Sequence, residues 1–274
     1  MNANQKVNNT FEALDLEFEI LSKAQQQVVM GGSGGSSGGY DQGDTLVNKM
    51  FGIGTTASGG TFDTGSTDPI KLANLKSALN ELADTEEGYE LLTKVFNSGK
   101  KIKLTATELS NGRAEYDPNN INNTDGSTKF SGTLDIGGLS SGTQGAGLAG
   151  HEMFHALEDI RGLAMGNTSS EAQATLFQAK VDRETGFGTA QTRYGEHSVN
   201  PTTGAVTYTT EGQKFQDAMQ SALTGGFNKE KLAVIIDNFG EGYVNSGAYV
   251  NLDDVAIIDP DSPNIMELIG EFLQ

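Results

Sequence analysis

The chain has 274 residues, a formal net charge of −18 and no cysteine. The negative charge excludes nucleic acid and anionic membrane surfaces as expected partners, because both would repel it. The lack of cysteine excludes thiol catalysis, disulfides and thiolate metal ligands, and membrane insertion is not expected because no apolar run reaches the roughly 18 residues of a spanning helix.

Residues 1–32 have the pattern of a targeting segment. Acidic and apolar residues follow one another at near-helical spacing over residues 11–21, and the segment ends in Gly31-Gly32 with the aliphatic Val29 two residues before them. With Leu21-Ser22 upstream, the pattern resembles the double-glycine leaders of bacteriocin-like peptides, and no Lys/Arg-led apolar block indicates a Sec signal peptide. The resemblance implies a secreted bacterial protein that leaves the cell through an ABC exporter with a leader peptidase. The alternative is a plain N-terminal helix before a linker.

A glycine- and serine-rich stretch follows this segment. Residues 31–39 read GGSGGSSGG, a composition typical of flexible coil. Residues 40–67 remain rich in Gly, Thr, Ser and Asp, apart from a short apolar patch at residues 46–53. We therefore predict a linker over residues 33–67 and a folded domain over residues 68–274.

The predicted domain begins with helices and a small sheet. Asp68 can cap a helix that starts at Pro69, and leucines recur at helical spacing after it. Asn111-Gly112 predicts a hairpin. The other expected elements are a helix over residues 86–97, strands over 102–109 and 129–136, and a return strand over 113–116, antiparallel to the first.

The sequence His151-Glu152-Met153-Phe154-His155 has the strongest chemical signature in the chain. Side chains four residues apart lie on one face of a helix, so the two imidazoles can hold one Zn²⁺ with Glu152 beside its open position. Zinc lowers the pKa of a bound water to roughly 7, and a neighbouring carboxylate can accept the proton. The chain has only three histidines, so the pairing of two of them here favours a metal site over a chance pentapeptide.

A catalytic zinc site with two histidines needs one more protein ligand. A metzincin would supply a third histidine where Arg161 stands, so that class is excluded. Glu171 is the preferred candidate, because residues 167–170 can cap a second helix that carries Glu171 in its first turn. The alternative role for Glu171 is to stabilise the N-terminus of that helix. The remaining ligand candidates are Asp182, Glu184 and His197.

His151-Glu152-x-x-His155-Ala156 followed by Ser170-Glu171-Ala172 resembles the gluzincin-type zinc metallopeptidases. Residues 179–186 and 193–195 resemble the effector and toxin metallopeptidases typified by NleD. The resemblance covers about residues 113–197. It implies an α+β, zincin-like domain with the HExxH helix beside a small β-sheet, and zinc held by His151, His155 and Glu171.

Hydrolysis of an amide also needs a donor that faces the oxyanion. Tyr194 and His197 are the candidates, and the alternative for each is a loop residue with a satisfied polar group. The remaining predicted elements are a hairpin over residues 199–209 and helices over 211–223, 228–238 and 263–273.

Together these features predict a secreted zinc-dependent endopeptidase, of toxin or effector type, with Glu152 as general base and a protein or peptide as substrate. The alternative is a secreted binding module that keeps a zincin fold and has lost activity. A purely structural zinc site is disfavoured, because such sites usually have four protein ligands, often thiolates, and the chain has no cysteine.

Overall fold

The computed structural model describes residues 40–53, 60–65, 67–107, 113–118, 130–163, 168–187, 195–200, 202–203, 205–224, 228–242 and 263–272. All of them belong to one unit that spans residues 39–274. The predicted leader, the Asn111-Gly112 turn and Tyr194 lie outside the described residues. Within the described residues, eight helices and six strands form a mixed α/β domain that is compatible with the predicted α+β class.

The helices are α1 (Tyr40–Met50), α2 (Pro69–Ala83), α3 (Glu86–Asn97), α4 (Thr143–Ile160), α5 (Thr168–Glu184), α6 (Thr210–Thr224), α7 (Lys229–Gly242) and α8 (Pro263–Phe272). The strands are β1 (Phe62–Asp63), β2 (Lys101–Thr105), β3 (Glu115–Asp117), β4 (Phe130–Asp135), β5 (His197–Val199) and β6 (Val206–Tyr208). No helix among the described residues has both the length and the apolar composition that crossing a membrane requires.

Four strands form a mixed sheet in the order β1-β2-β4-β3. The strands β1, β2 and β4 are parallel, whereas β3 runs antiparallel to β4, with Tyr116 opposite Leu134. The strands β5 and β6 form a separate antiparallel hairpin, as the sequence predicts.

The predicted hairpin between β2 and β3 is wrong. The later strand β4 lies between them and pairs with β2 on one side and β3 on the other. A turn signal such as Asn-Gly reports only local backbone preference. It carries no information about a strand that enters the sheet from further along the chain.

The domain begins earlier than residue 68. Within the predicted linker, α1 buries Val47 and Met50 completely, and β1 pairs Phe62 with Ile102 of β2. The glycine-rich composition of residues 40–67 led to the prediction of a linker, although Val47 and Met50 have the spacing of residues that share one helical face. The linker boundary is therefore corrected, since α1 and β1 are part of the folded unit.

The helix signals before the metal motif are confirmed. Oδ1 of Asp68 accepts hydrogen bonds from the backbone N–H groups of Ile70 at 2.7 Å and Lys71 at 3.3 Å, with Pro69 as the first helical residue. The helix α3 has the predicted bounds and is capped by the hydroxyl of Thr85.

The helices α4 and α5 pack against each other in the core, and the side chain of Asp182 on α5 lies against Gly147 of α4. A Cβ on Gly147 would lie 2.0 Å from Oδ1 of Asp182, so any larger residue there would force the Asp182 side chain to move. The helix α8 packs across the same pair. Its Phe272 ring lies 5.3 Å from Phe177 of α5 and 6.1 Å from Phe154 of α4. The core thus holds the two helices that carry the predicted metal ligands in a fixed relationship.

Candidate metal centre

Three predicted ligands meet where α4 and α5 pack together. His151 and His155 lie one turn apart on α4, and Glu171 lies in the first turn of α5. Their ligand atoms lie within 4.8 Å of one another. Among the described residues, this is the only group of three or more His, Cys, Asp or Glu side chains that could hold a metal ion.

The distances within the group suit a small tetrahedral ion. The Nε2 atoms of His151 and His155 lie 3.1 Å apart. Glu171 places Oε2 3.5 Å from Nε2 of His151 and Oε1 3.4 Å from Nε2 of His155. Ligand bonds of roughly 2.0–2.1 Å in a tetrahedron separate neighbouring donor atoms by about 3.4 Å. The donors therefore lie at distances close to those that one tetrahedral ion requires, with Oε2 of Glu171 nearer to His151 and Oε1 nearer to His155.

One side of the group is open and the other is closed. The side chain of Glu171 is 22% exposed and that of His151 is 12% exposed, whereas that of His155 is 6% exposed. An ion held here would keep an approach from solvent on the side of His151 and Glu171. Such access is typical of catalytic rather than structural metal sites.

Glu158 supports His155 from the closed side. Its Oε2 lies 2.8 Å from Nδ1 of His155 and accepts a hydrogen bond from the hydroxyl of Ser170 at 2.7 Å. A carboxylate on Nδ1 orients the ring so that Nε2 faces the metal. The sequence interpretation missed this role. The signal was a glutamate three residues after His155, which is the spacing of neighbours on a helix.

Glu152 lies beside the two histidines but faces the sheet. It is 5% exposed, and its Oε2 accepts a hydrogen bond from the backbone N–H of Tyr116 in β3 at 2.7 Å. Burial raises the pKa of Glu152 above its usual value, against the lowering effect of His151, His155 and the Tyr116 N–H. A carboxyl group with a raised pKa can both accept and return a proton near neutral pH.

The side chains of the group shift one another's pKa values. Burial raises the pKa of Glu171, but hydrogen bonds and charge from His151 and His155 outweigh it and hold that pKa well below its usual range. Burial lowers the pKa of His155, but Glu158 and Glu171 outweigh it and raise the pKa to about 10. The site thus concentrates negative charge around His155, and a divalent cation can take the place of its proton.

The other predicted ligands are not part of this group. Asp182 is buried against Gly147, and Glu184 pairs with Lys180 at 2.7 Å. His197 begins β5, where Nδ1 lies 2.7 Å from the carbonyl oxygen of Gly195 and its ring contacts Tyr208. The second oxyanion candidate, Tyr194, lies outside the described residues.

No protein-family model, no curated protein and no solved structure matches the chain.

Proposed function

We propose that this protein is a zinc-dependent endopeptidase. The observation that carries the proposal is the convergence of His151, His155 and Glu171 on one point, with Glu152 directly after the first histidine. Two imidazoles and one carboxylate are a donor set of catalytic zinc sites, which leave a coordination position open. When bound, Zn²⁺ would polarise a carbonyl oxygen and acidify a water molecule.

Glu152 is the proposed proton acceptor. It is not one of the three donors, so it is available to take a proton from the attacking water and later deliver it to the leaving amine. Its buried position supports this role, because burial raises the pKa of Glu152, and a carboxylate with a raised pKa accepts a proton more readily than one with an ordinary pKa. His151, His155 and Glu171 serve only as ligands in this mechanism.

The strand β3 is the proposed contact for an extended substrate. It is the last strand of the described sheet on the β4 side, and its middle residue, Tyr116, contacts Glu152. Exposed strand edges bind extended peptides through backbone hydrogen bonds. Because the backbone N–H of Tyr116 already donates to Glu152, a peptide would pair with β3 beside this contact and would lie close to Glu152. For the oxyanion, Tyr194 stays the proposed donor, whereas the contacts of His197 with Gly195 and Tyr208 favour a structural role.

The second candidate function is a binding module that keeps the fold without catalysis. Such a protein has no need for a general base and would be free to lose Glu152 before its metal ligands. Glu152 is present, buried and hydrogen-bonded beside the group of His151, His155 and Glu171, and this favours the enzyme.

We further propose that the protein is secreted as a toxin or effector through its double-glycine leader. This proposal rests on residues 1–32 and on the sequence resemblance alone. It predicts that secreted protein begins at Ser33 and that the exporter-linked peptidase removes the preceding segment. N-terminal sequencing of secreted material tests this, and an intact Met1 in that material would refute it.

Cleavage of a mixed peptide library by the zinc-loaded wild type and by Glu152→Gln tests the enzymatic proposal. We expect the wild type to cleave and the variant to be inactive while it keeps its zinc, because proton acceptor and ligands are separate residues. Equal turnover by both proteins would exclude the mechanism. Zinc binding without cleavage by the wild type would support the binding module.

A further inference from the structure

Tyr116, the middle residue of β3, contacts α4 at two points. Its backbone N–H donates to Oε2 of Glu152 at 2.7 Å, and its hydroxyl donates to Oδ2 of Asp159 at 2.8 Å. Glu152 and Asp159 are seven residues apart, about two helical turns, so they lie on the same face of α4. Tyr116 therefore holds β3 against α4 through two hydrogen bonds, one from its backbone N–H and one from its hydroxyl group.

Among the three side chains of β3, that of Tyr116 is the one that enters the interior. The strand has three residues, and only Tyr116 is buried, whereas Glu115 and Asp117 are exposed. Within the described sheet, β3 pairs on one side only, with β4. So short an edge strand has few ladder hydrogen bonds to hold its position. The depth and direction of β3 over α4 thus depend on where the Tyr116 ring is held.

Gly132 of β4 makes room for that ring. A Cβ on Gly132 would lie 2.4 Å from the hydroxyl oxygen of Tyr116 and 2.5 Å from its Cζ. Any side chain there would displace the phenol group from Asp159. Burial, with Asp159 next to it, keeps the pKa of Tyr116 above its usual value, so the hydroxyl stays protonated and acts as the donor.

We propose that Tyr116 and Asp159 are positioning residues for the general base Glu152. Their hydrogen bond holds β3 in place over α4, and the Tyr116 N–H then fixes one carboxylate oxygen of Glu152. This inference rests on the proposed function, since it assigns the two residues a role in orienting the proton acceptor. A proton acceptor must be held within a fraction of an ångström of its productive position.

Tyr116→Phe removes the hydroxyl and keeps the ring and the backbone N–H. We expect one zinc per chain, a roughly 10- to 100-fold lower kcat and a nearly unchanged KM. Asp159→Ala should behave in the same way. Asp159→Asn keeps an acceptor oxygen and should retain most of the wild-type kcat. Tyr89→Phe, on the half-buried face of α3, is the matched control and should leave kcat unchanged.

A second readout does not depend on activity. A hydrogen bond to a carboxylate moves an amide proton downfield in the NMR spectrum and slows its exchange with solvent. In Tyr116→Phe, the amide proton of residue 116 should move upfield toward its position in Glu152→Ala and exchange faster. If the wild type cleaves no peptide, the proposed function fails, and this amide signal still decides whether the hydroxyl positions the contact with Glu152.

Two results would overturn the inference. The first is a Tyr116→Phe variant whose kcat and whose amide signal at residue 116 both match those of the wild type. The second is a variant whose kcat falls only in proportion to its loss of zinc or of folded protein, and whose folded fraction keeps the wild-type amide signal. That result would show that the hydrogen bond between Tyr116 and Asp159 only stabilises the fold.

Discussion

Oε2 of Glu158 lies 2.8 Å from Nδ1 of His155, on the side of the ring opposite the Nε2 atom that faces His151. The same oxygen accepts the hydroxyl hydrogen of Ser170 from α5, so one buried carboxylate joins both ligand-bearing helices. Nδ1 of His151 is buried and has no hydrogen-bond partner among the described residues. Of the two histidines, His155 is therefore the one whose orientation a carboxylate fixes.

Glu158→Ala should weaken zinc affinity by roughly 10- to 100-fold, because outer contacts to metal-binding histidines contribute on this scale. Titration against a chelator of known affinity measures the effect. Glu230→Ala, at an exposed position on α7, is the control and should bind zinc like the wild type. Wild-type affinity in Glu158→Ala would show that the ring of His155 needs no carboxylate support.

Glu171→Ala should lower zinc affinity by at least about 100-fold, since it removes one of three protein donors. The matched variant is Asp182→Asn on the same helix, which lies outside the group and should bind zinc with unchanged affinity. Zinc per chain, measured after dialysis at limiting free zinc, compares the two. A larger loss of zinc affinity in Asp182→Asn than in Glu171→Ala would show that Asp182, and not Glu171, is the third zinc ligand.

Asp182→Asn should stabilise the protein at high pH. Burial raises the pKa of Asp182 from 3.8 to about 7, so its carboxyl group favours the folded state most when protonated. That contribution is fully present below about pH 4 and is lost as the pH rises through 7. At pH 8 the ionised group costs up to about 4 kcal/mol at about 1.36 kcal/mol per pKa unit.

Urea unfolding of wild type and Asp182→Asn at pH 4.5 and at pH 8 tests this. The gain in the free energy of unfolding should be large at pH 8 and small at pH 4.5. An equal difference at both pH values would mean that the carboxyl group of Asp182 does not titrate differently in the folded state.

Phe272→Ala should destabilise the protein by about 3–5 kcal/mol, the usual range for a buried phenylalanine. Phe272 is 2% exposed and packs against Phe154 and Phe177, which lie on the two ligand-bearing helices. Phe187→Ala is the control, because Phe187 is 39% exposed and should cost little. Denaturant unfolding compares the two variants, and similar losses in both would show that α8 does not support the core.

Local signals were sufficient to predict most of the helices and the three candidate ligands. Asp68 and Pro69 mark the start of α2, and the spacing of His151 and His155 is a property of the helix itself. The position of Glu171 could be predicted because a capping sequence places it in the first turn of α5. Each of these inferences depends on residues within one or two turns of each other.

The misses are contacts between distant parts of the chain. The insertion of β4 beside β2 depends on pairing across the sheet, which no turn sequence encodes. The contact of Tyr116 with Glu152 joins a strand and a helix that are 36 residues apart. Burial of α1 also depends on partners later in the chain, so glycine-rich flanks made it look like a linker.

The most direct test of the central claim is the zinc content of three purified proteins after loading with zinc and dialysis. The account predicts one zinc per chain in the wild type and in Glu152→Gln, and none in His155→Ala. A wild type without zinc, or a His155→Ala variant with as much zinc as the wild type, would contradict it.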